Sequence, residues 1–150
     1  MKALVEIFVA LCVLCFNTTF AQEYKHNVEG AKKIEISELV GQIKIQGHNG
    51  AELVIKASEL PETPERAKGL KPISTGGVDN TKIGLSLTET DQVISISGVT
   101  KQSSEADYIF MIPDGLAVEI DYSSPFADDK LEVEDFGGEL EISTLNSDVA

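Results

Sequence analysis

The chain has 150 residues, 42% hydrophobic and 25% charged, which suits one folded domain with a single core and excludes wholesale disorder or a collagen-like chain. Its formal net charge is −13, so it repels phosphate backbones, and nucleic-acid binding is excluded as a reading.

The first element is a secretory signal. Met1-Lys2 is a short basic start, Ile7 to Phe16 is an unbroken apolar run, and Asn17 to Ala21 is a polar stretch ending in a small residue. That order predicts cleavage after Ala21, leaving residues 22–150 as an exported domain in the periplasm, at the outer-membrane surface or outside the cell. The apolar run is well short of the roughly 20 residues that span a bilayer, and no later segment reads as a transmembrane span. Both cysteines, Cys12 and Cys15, lie inside the signal. The exported domain then has no disulfide, thiol nucleophile or thiolate metal site.

Beyond the signal the chain alternates apolar and polar residues with period two in short runs, the mark of β-strands. The runs are 33–39, 42–47, 52–58, 82–87, 92–97, 107–113, 116–122, 130–136 and 139–145. Glycine, asparagine and Pro-Asp-Gly turns separate them. Residues 34–49, moved by 97 positions, fall on 131–146 with Glu35, Gly41, Ile45 and Asn49 meeting identical residues. Apolar anchors recur at rung-like intervals, from Ile34 to Val54 and from Val118 to Leu140. The expectation is an all-β solenoid of stacked two- or three-strand rungs, with asparagine ladders at the corners. A two-sheet sandwich is the alternative. The hairpin-like spacing of 82–87 and 92–97 is compatible with local antiparallel pairing. Residues 58–81 interrupt the pattern with three prolines. Thr63-Pro64-Glu65 predicts a turn or two of helix near 64–68 in an excursion that either caps the first rung or binds.

The run from Pro64 to Leu87, the segment IPDGLAVEIDYSS and the segment LEVEDFGGELEISTLNSDV resemble a family of exported bacterial β-strand-repeat proteins, of head-GIN-domain type, described as adhesins and common in Bacteroidota. The most specific stretch is Gly69 to Leu85, where glycine is expected at the place of Lys82. The resemblance implies a right-handed parallel β-helix-like domain outside the cytoplasm and carries over no catalytic residues. The chain's end at Asn146-Ser147-Asp148-Val149-Ala150 reads as the start of a further corner and strand, and more rungs are expected to follow.

Charge is unevenly spread: residues 105–150 hold 13 acids and one base, Lys130. Alternation points Glu119, Asp121, Glu132 and Glu134 outward. They are candidate hard-oxygen ligands for calcium or members of a solvated acidic face. Arg66, Lys68 and Lys71 form a basic cluster in the excursion, and with Asp79 and Asn80 they are the candidate binding residues. Asp121, Asp128, Asp129 and Asp135 fall near corners, where two could act as a glycosidase pair. His26 and His48 read as surface loop residues. The composite reading is an exported, non-enzymatic binding or adhesion module for an envelope or surface glycan or protein. A carbohydrate-active β-helix enzyme and a purely structural envelope protein are the alternatives. No cofactor other than calcium is implied.

Overall fold

The computed structural model describes residues 22–58, 60, 65–67, 77–99, 106–126, 128–144 and 148–149; the predicted signal at 1–21 and most of the excursion lie outside them. Eleven strands form among the described residues: β1 (Gln22–Asn27), β2 (Lys33–Leu39), β3 (Ile43–His48), β4 (Glu52–Ser58), β5 (Leu85–Thr90), β6 (Val93–Gly98), β7 (Asp107–Pro113), β8 (Ala117–Tyr122), β9 (Lys130–Glu134), β10 (Leu140–Thr144) and β11 (Asp148–Val149). The predicted helix is one 3₁₀ turn, Glu65–Ala67. No described helix is long and apolar enough to cross a membrane.

The strands build two mixed sheets. Sheet A runs β1-β4-β7-β3-β9-β11 and sheet B runs β10-β8-β2-β6-β5. Inward residues of both merge into one core, including Ile34, Ile36, Ile45, Ile55, Ile94, Phe110 and Ile120, all at most 1% exposed. Period-two alternation builds this core directly, because each strand turns every second side chain inward. One exception is in β2, where Ile36 and Leu39 are both buried although three residues apart. A bulge there sets Glu38 at φ 55, and the extra residue restores the inward phase.

The expected continuous parallel solenoid is corrected in two ways. Pairs β2–β6, β2–β8, β8–β10, β3–β7, β3–β9 and β9–β11 are parallel, but β1–β4, β4–β7 and β5–β6 are antiparallel. The rungs also stack out of chain order. The β6–β7 rung lies on one side of β2–β3, while β8–β9 and then β10–β11 lie on the other. The chain therefore does not climb steadily, and the sheets remain two mixed layers. The offset of 97 residues is not a stacking register either. It lays β2 on β9, in the opposite sheet, whereas Ile34 pairs with Val118 and Ile43 with Leu131. The repeat in the sequence is a half-rung. The interval from Val118 to Leu140 does mark stacked neighbours, but Ile34 and Val54 sit in different sheets.

The hairpin expected in the middle is present. β5 and β6 pair through Asp91-Gln92, whose φ angles are 53 and 69. Two positive φ angles in a two-residue loop match the right-handed twist of the flanking strands. Strand β5 starts three residues later than the sequence suggests, because Thr81 to Gly84 form a turn. Lys82 stands there at φ 67, so the position where glycine is expected does have the backbone that favours it. A left-handed conformation costs a non-glycine residue roughly 1–2 kcal/mol, part of which glycine returns through its freer unfolded chain. Lys82→Gly is expected to stabilise the chain by about 1 kcal/mol, read as a higher urea midpoint with an unchanged slope.

Two buried tyrosines bind the layers to their loops. The Tyr108 hydroxyl donates to the Ile83 carbonyl at 2.7 Å, and the Tyr122 hydroxyl donates to the Gly41 carbonyl at 2.8 Å. Burial pushes the Tyr122 phenol up to about 12, with Asp129 and Asp107 adding to the rise. Burial likewise pushes the Tyr108 phenol up, with Asp79 adding. Both phenols ionise more readily in the unfolded chain, near pH 10. The stability they confer is full below that pH and is lost as the pH rises towards about 12. Phenolate absorbance from these residues is expected to appear together with loss of β-sheet circular dichroism in that alkaline window. Tyr122→Phe is expected to cost about 1–2 kcal/mol at neutral pH, because the Gly41 carbonyl loses its donor.

Candidate functional site

The acidic residues that invite a chemical reading are mostly engaged in holding the fold. Asp79 is the clearest case. Its Oδ1 accepts from the Thr81 amide and hydroxyl, both at 3.1 Å, and from the Lys82 amide at 2.7 Å, while Oδ2 accepts from the Gly84 amide at 3.0 Å. The adjoining Asn80 behaves as a strand residue: its Nδ2 donates to the Leu87 carbonyl at 2.7 Å and its Oδ1 accepts from the Leu87 amide at 2.9 Å. The buried Thr81 hydroxyl shares its one proton between Asp79 and the Leu85 carbonyl, which lies 3.0 Å away. The Asp79-Asn80-Thr81 turn thus uses its polar side-chain atoms to anchor the start of β5. Of the basic cluster, Arg66 is exposed on the 3₁₀ turn, and Lys68 and Lys71 lie outside the described residues.

The corner acids follow the same logic. Asp129 Oδ2 accepts from the Gly41 amide at 3.1 Å and from the Ser124 hydroxyl. Asp107 Oδ1 accepts from the Gln42 amide at 3.3 Å. These carboxylates tie the β2–β3 corner to the β7 and β9 rungs beside it. Asparagine was the expected corner residue, but Asn49 is exposed in the β3–β4 turn and Asn146 lies outside the described residues. Asp121, Asp128 and Asp135 are exposed, and Asp135 stands at φ 48 in the turn after β9.

The four proposed calcium ligands do not converge. Glu119 and Asp121 belong to β8 in sheet B, and Glu132 and Glu134 belong to β9 in sheet A. Lysines bind three of them. Lys33 contacts Glu119, and Glu35 at 3.0 Å; Lys44 contacts Glu134 at 2.8 Å; Lys130 contacts Glu132. The hydrogen bond that Lys33 donates to Glu119, with the one to Glu35 adding, pushes the Lys33 ammonium up. The hydrogen bond to Glu134 pushes Lys44 up. The hydrogen bond from Lys130 lowers the Glu132 carboxyl. Among the described residues no group of three or more His, Cys, Asp or Glu side chains is placed to hold a metal ion.

The most suggestive surface is the outer face of sheet A. Strand register lines up Glu23, Lys56, Ile109, Lys44 and Glu132 across five strands, and Lys25, Val54, Met111, Gln46 and Glu134 in the next row. The centre of this face is apolar: Ile109 is 36% exposed, with Val54 and Met111 partly exposed beside it. Lysines flank the strip, and among the described residues no carboxylate bonds to Lys56. A shallow groove of about 200 Å³ opens at the end of the strip, lined by residues that include Lys44, Asp107, Ile109, Lys130 and Glu132. Sequence reasoning missed this face. Single apolar residues on outward positions carry no signal until register brings Val54, Met111 and Ile109 together.

No protein-family model matches the chain, and no curated protein matches it. Among solved structures it is similar to a putative cell adhesion protein from Clostridium sporogenes, at 13% identity and a TM-score of 0.44 over 83% of this chain and 57% of that one. It is also similar to a putative adhesin from Bacteroides fragilis, at 11% identity and a TM-score of 0.40 over 88% of this chain and 62% of that one. A putative adhesin from Parabacteroides merdae is similar at 7% identity and a TM-score of 0.33, over 83% and 45%. The chain spans less than two thirds of the length of each.

The Asp79 turn yields a direct test. Asp79→Ala strips the Thr81, Lys82 and Gly84 amides of their acceptor and is expected to cost about 3 kcal/mol, measured by urea unfolding. An unchanged midpoint would return Asp79 to the pool of free ligand-binding groups.

Proposed function

We propose that this chain is an exported, non-enzymatic binding module of the bacterial cell envelope, and that the outer face of sheet A recognises its partner, a surface glycan or protein. The observation that carries this reading is the apolar strip Val54–Met111–Ile109, set flat across hydrogen-bonded strands and flanked by Lys56 and Lys44. A rigid sheet presents such a strip without ordering cost at the moment of binding. The strip supplies apolar contact, and the lysines supply orientation towards acidic or hydroxyl-rich groups. The export signal of residues 1–21 accords with a partner outside the cytoplasm.

Immobilised bacterial-surface and host polysaccharides, and detergent-solubilised envelope proteins, are the panel to test. Retention of the chain by some member, with glycan chain lengths unchanged by mass spectrometry, is the expected outcome. Ile109→Asp and Lys56→Glu are expected to weaken that retention at least about tenfold at a stability cost of about 1 kcal/mol each, because both side chains are partly exposed on the sheet face. Ser95→Asp on the opposite face is expected to leave it unchanged. Shortened glycans, or loss of retention with the sheet B variant alone, would overturn the reading.

A further inference from the structure

The β3–β4 turn reads Gly47-His48-Asn49-Gly50, and it sets an imidazole against the backbone amide that follows an asparagine. The Gly50 amide N–H donates to His48 Nδ1 at 2.9 Å. The other ring nitrogen, Nε2, lies 2.9 Å from the Glu52 carbonyl oxygen. A carbonyl can only accept, so Nε2 carries the proton and Nδ1 presents a lone pair to the Gly50 amide. Between them in sequence is Asn49, exposed, and of the chain's asparagines the one followed by glycine. A Cβ on residue 50 would stand 2.3 Å from His48 Cε1, so only glycine leaves room for the imidazole over this amide.

We propose that Asn49 is a self-modification site, at which His48 acts as general base for succinimide formation. The layout is that of an activated nucleophile: a weak nucleophile within hydrogen-bond reach of a base, and a third group that orients the base. Here the nucleophile is the Gly50 backbone nitrogen, the base is His48 Nδ1, and the orienting group is the Glu52 carbonyl. His48 takes the Gly50 N–H proton as that nitrogen attacks Asn49 Cγ. A bond forms between Gly50 N and Asn49 Cγ, the Cγ–Nδ2 bond breaks, and the proton passes from the imidazolium to the departing nitrogen, which leaves as ammonia. Water then opens the five-membered imide at either carbonyl and gives aspartate or isoaspartate at position 49. No oxidant or metal enters, and the one co-reactant is water. Each product adds a negative charge at the turn, and isoaspartate also lengthens the backbone between β3 and β4 by one carbon. Strand β3 lies within the proposed binding face, so the modification would alter a turn that supports it. The site stands on its own geometry and does not depend on that face binding anything.

The test is to age the purified chain in neutral buffer and follow the tryptic peptide Ile45–Lys56 by mass spectrometry, with separation of the aspartyl and isoaspartyl forms. The native chain is expected to convert at position 49 faster than the same chain in denaturing urea, where the turn is lost. His48→Gln keeps an acceptor for the Gly50 amide but removes the base, and is expected to slow native conversion about tenfold or more, a modest part of what a positioned base contributes. Circular dichroism confirms that this variant is folded. His48→Ala provides a second comparison and is expected to convert no faster than the urea-treated chain. Native conversion slower than that in urea, or equal or faster conversion in folded His48→Gln, would mean that the hydrogen bond protects the amide, and would overturn the proposal.

Discussion

Each rung of this protein must reverse direction within a few residues, and every reversal removes backbone amides and carbonyls from the ladder. Buried without partners, each such group would cost about 1–3 kcal/mol. The fold depends on side chains that answer those groups. Asp129 takes the Gly41 amide, Tyr122 takes the Gly41 carbonyl, Asp107 takes the Gln42 amide and Tyr108 takes the Ile83 carbonyl. Backbone proximity completes the arrangement. A Cβ at Gly41 would stand 2.8 Å from the Ala106 carbonyl oxygen, and one at Gly138 would stand 2.3 Å from that of Leu116. The corners are therefore the most constrained parts of the molecule, and the aliphatic strands between them tolerate exchange more readily.

This division explains what could be read from the residues. Strands with marked apolar alternation were legible to the residue, the bulge in β2 included: 33–39, 52–58 and 107–113 coincide with β2, β4 and β7. Strand β1 was not, because it pairs only with β4 at a sheet edge and its polar sequence shows no apolar alternation. The start of β5 was misplaced because Asp79 draws the Thr81, Lys82 and Gly84 amides into a turn, and a carboxylate's reach across five residues leaves no periodic trace. Rung order was illegible for a deeper reason. The β6–β7 and β8–β9 rungs have the same apolar-x-apolar pattern, so either could stack on either side of β2–β3.

The same economy bears on the candidate sites. Of the polar residues that sequence reading assigns to binding or chemistry, Asp79, Asn80 and Asp129 each have a backbone partner, and Asp107, which it does not single out, has one too. Acids in turns are favoured there because they satisfy amides, so an excess of them near strand ends signals tight corners before it signals chemistry. The histidines divide differently. His26 approaches Glu89 at 3.4 Å between the edge strands of the two sheets, while His48 folds onto its own turn.

The distribution of charge then separates the two outer faces. On sheet B, register aligns Glu35, Glu119 and Glu141 on successive strands, with Lys33 bound to the first two. Strand spacing of about 5 Å makes each unscreened pair repel by roughly 1 kcal/mol in water, so this face resists any acidic neighbour, including another copy of the chain. On sheet A the carboxylates of the same acidic half of the chain meet Lys44 and Lys130, and the field is largely cancelled. A chain of net charge −13 is kept apart from most envelope components by its own repulsion. The place where that repulsion is weakest is also where apolar side chains reach the surface. That coincidence makes sheet A the face on which contact with a partner costs least, and it arises from the pairing of β7 with antiparallel β4 on one side and parallel β3 on the other, which sets residues distant in sequence side by side.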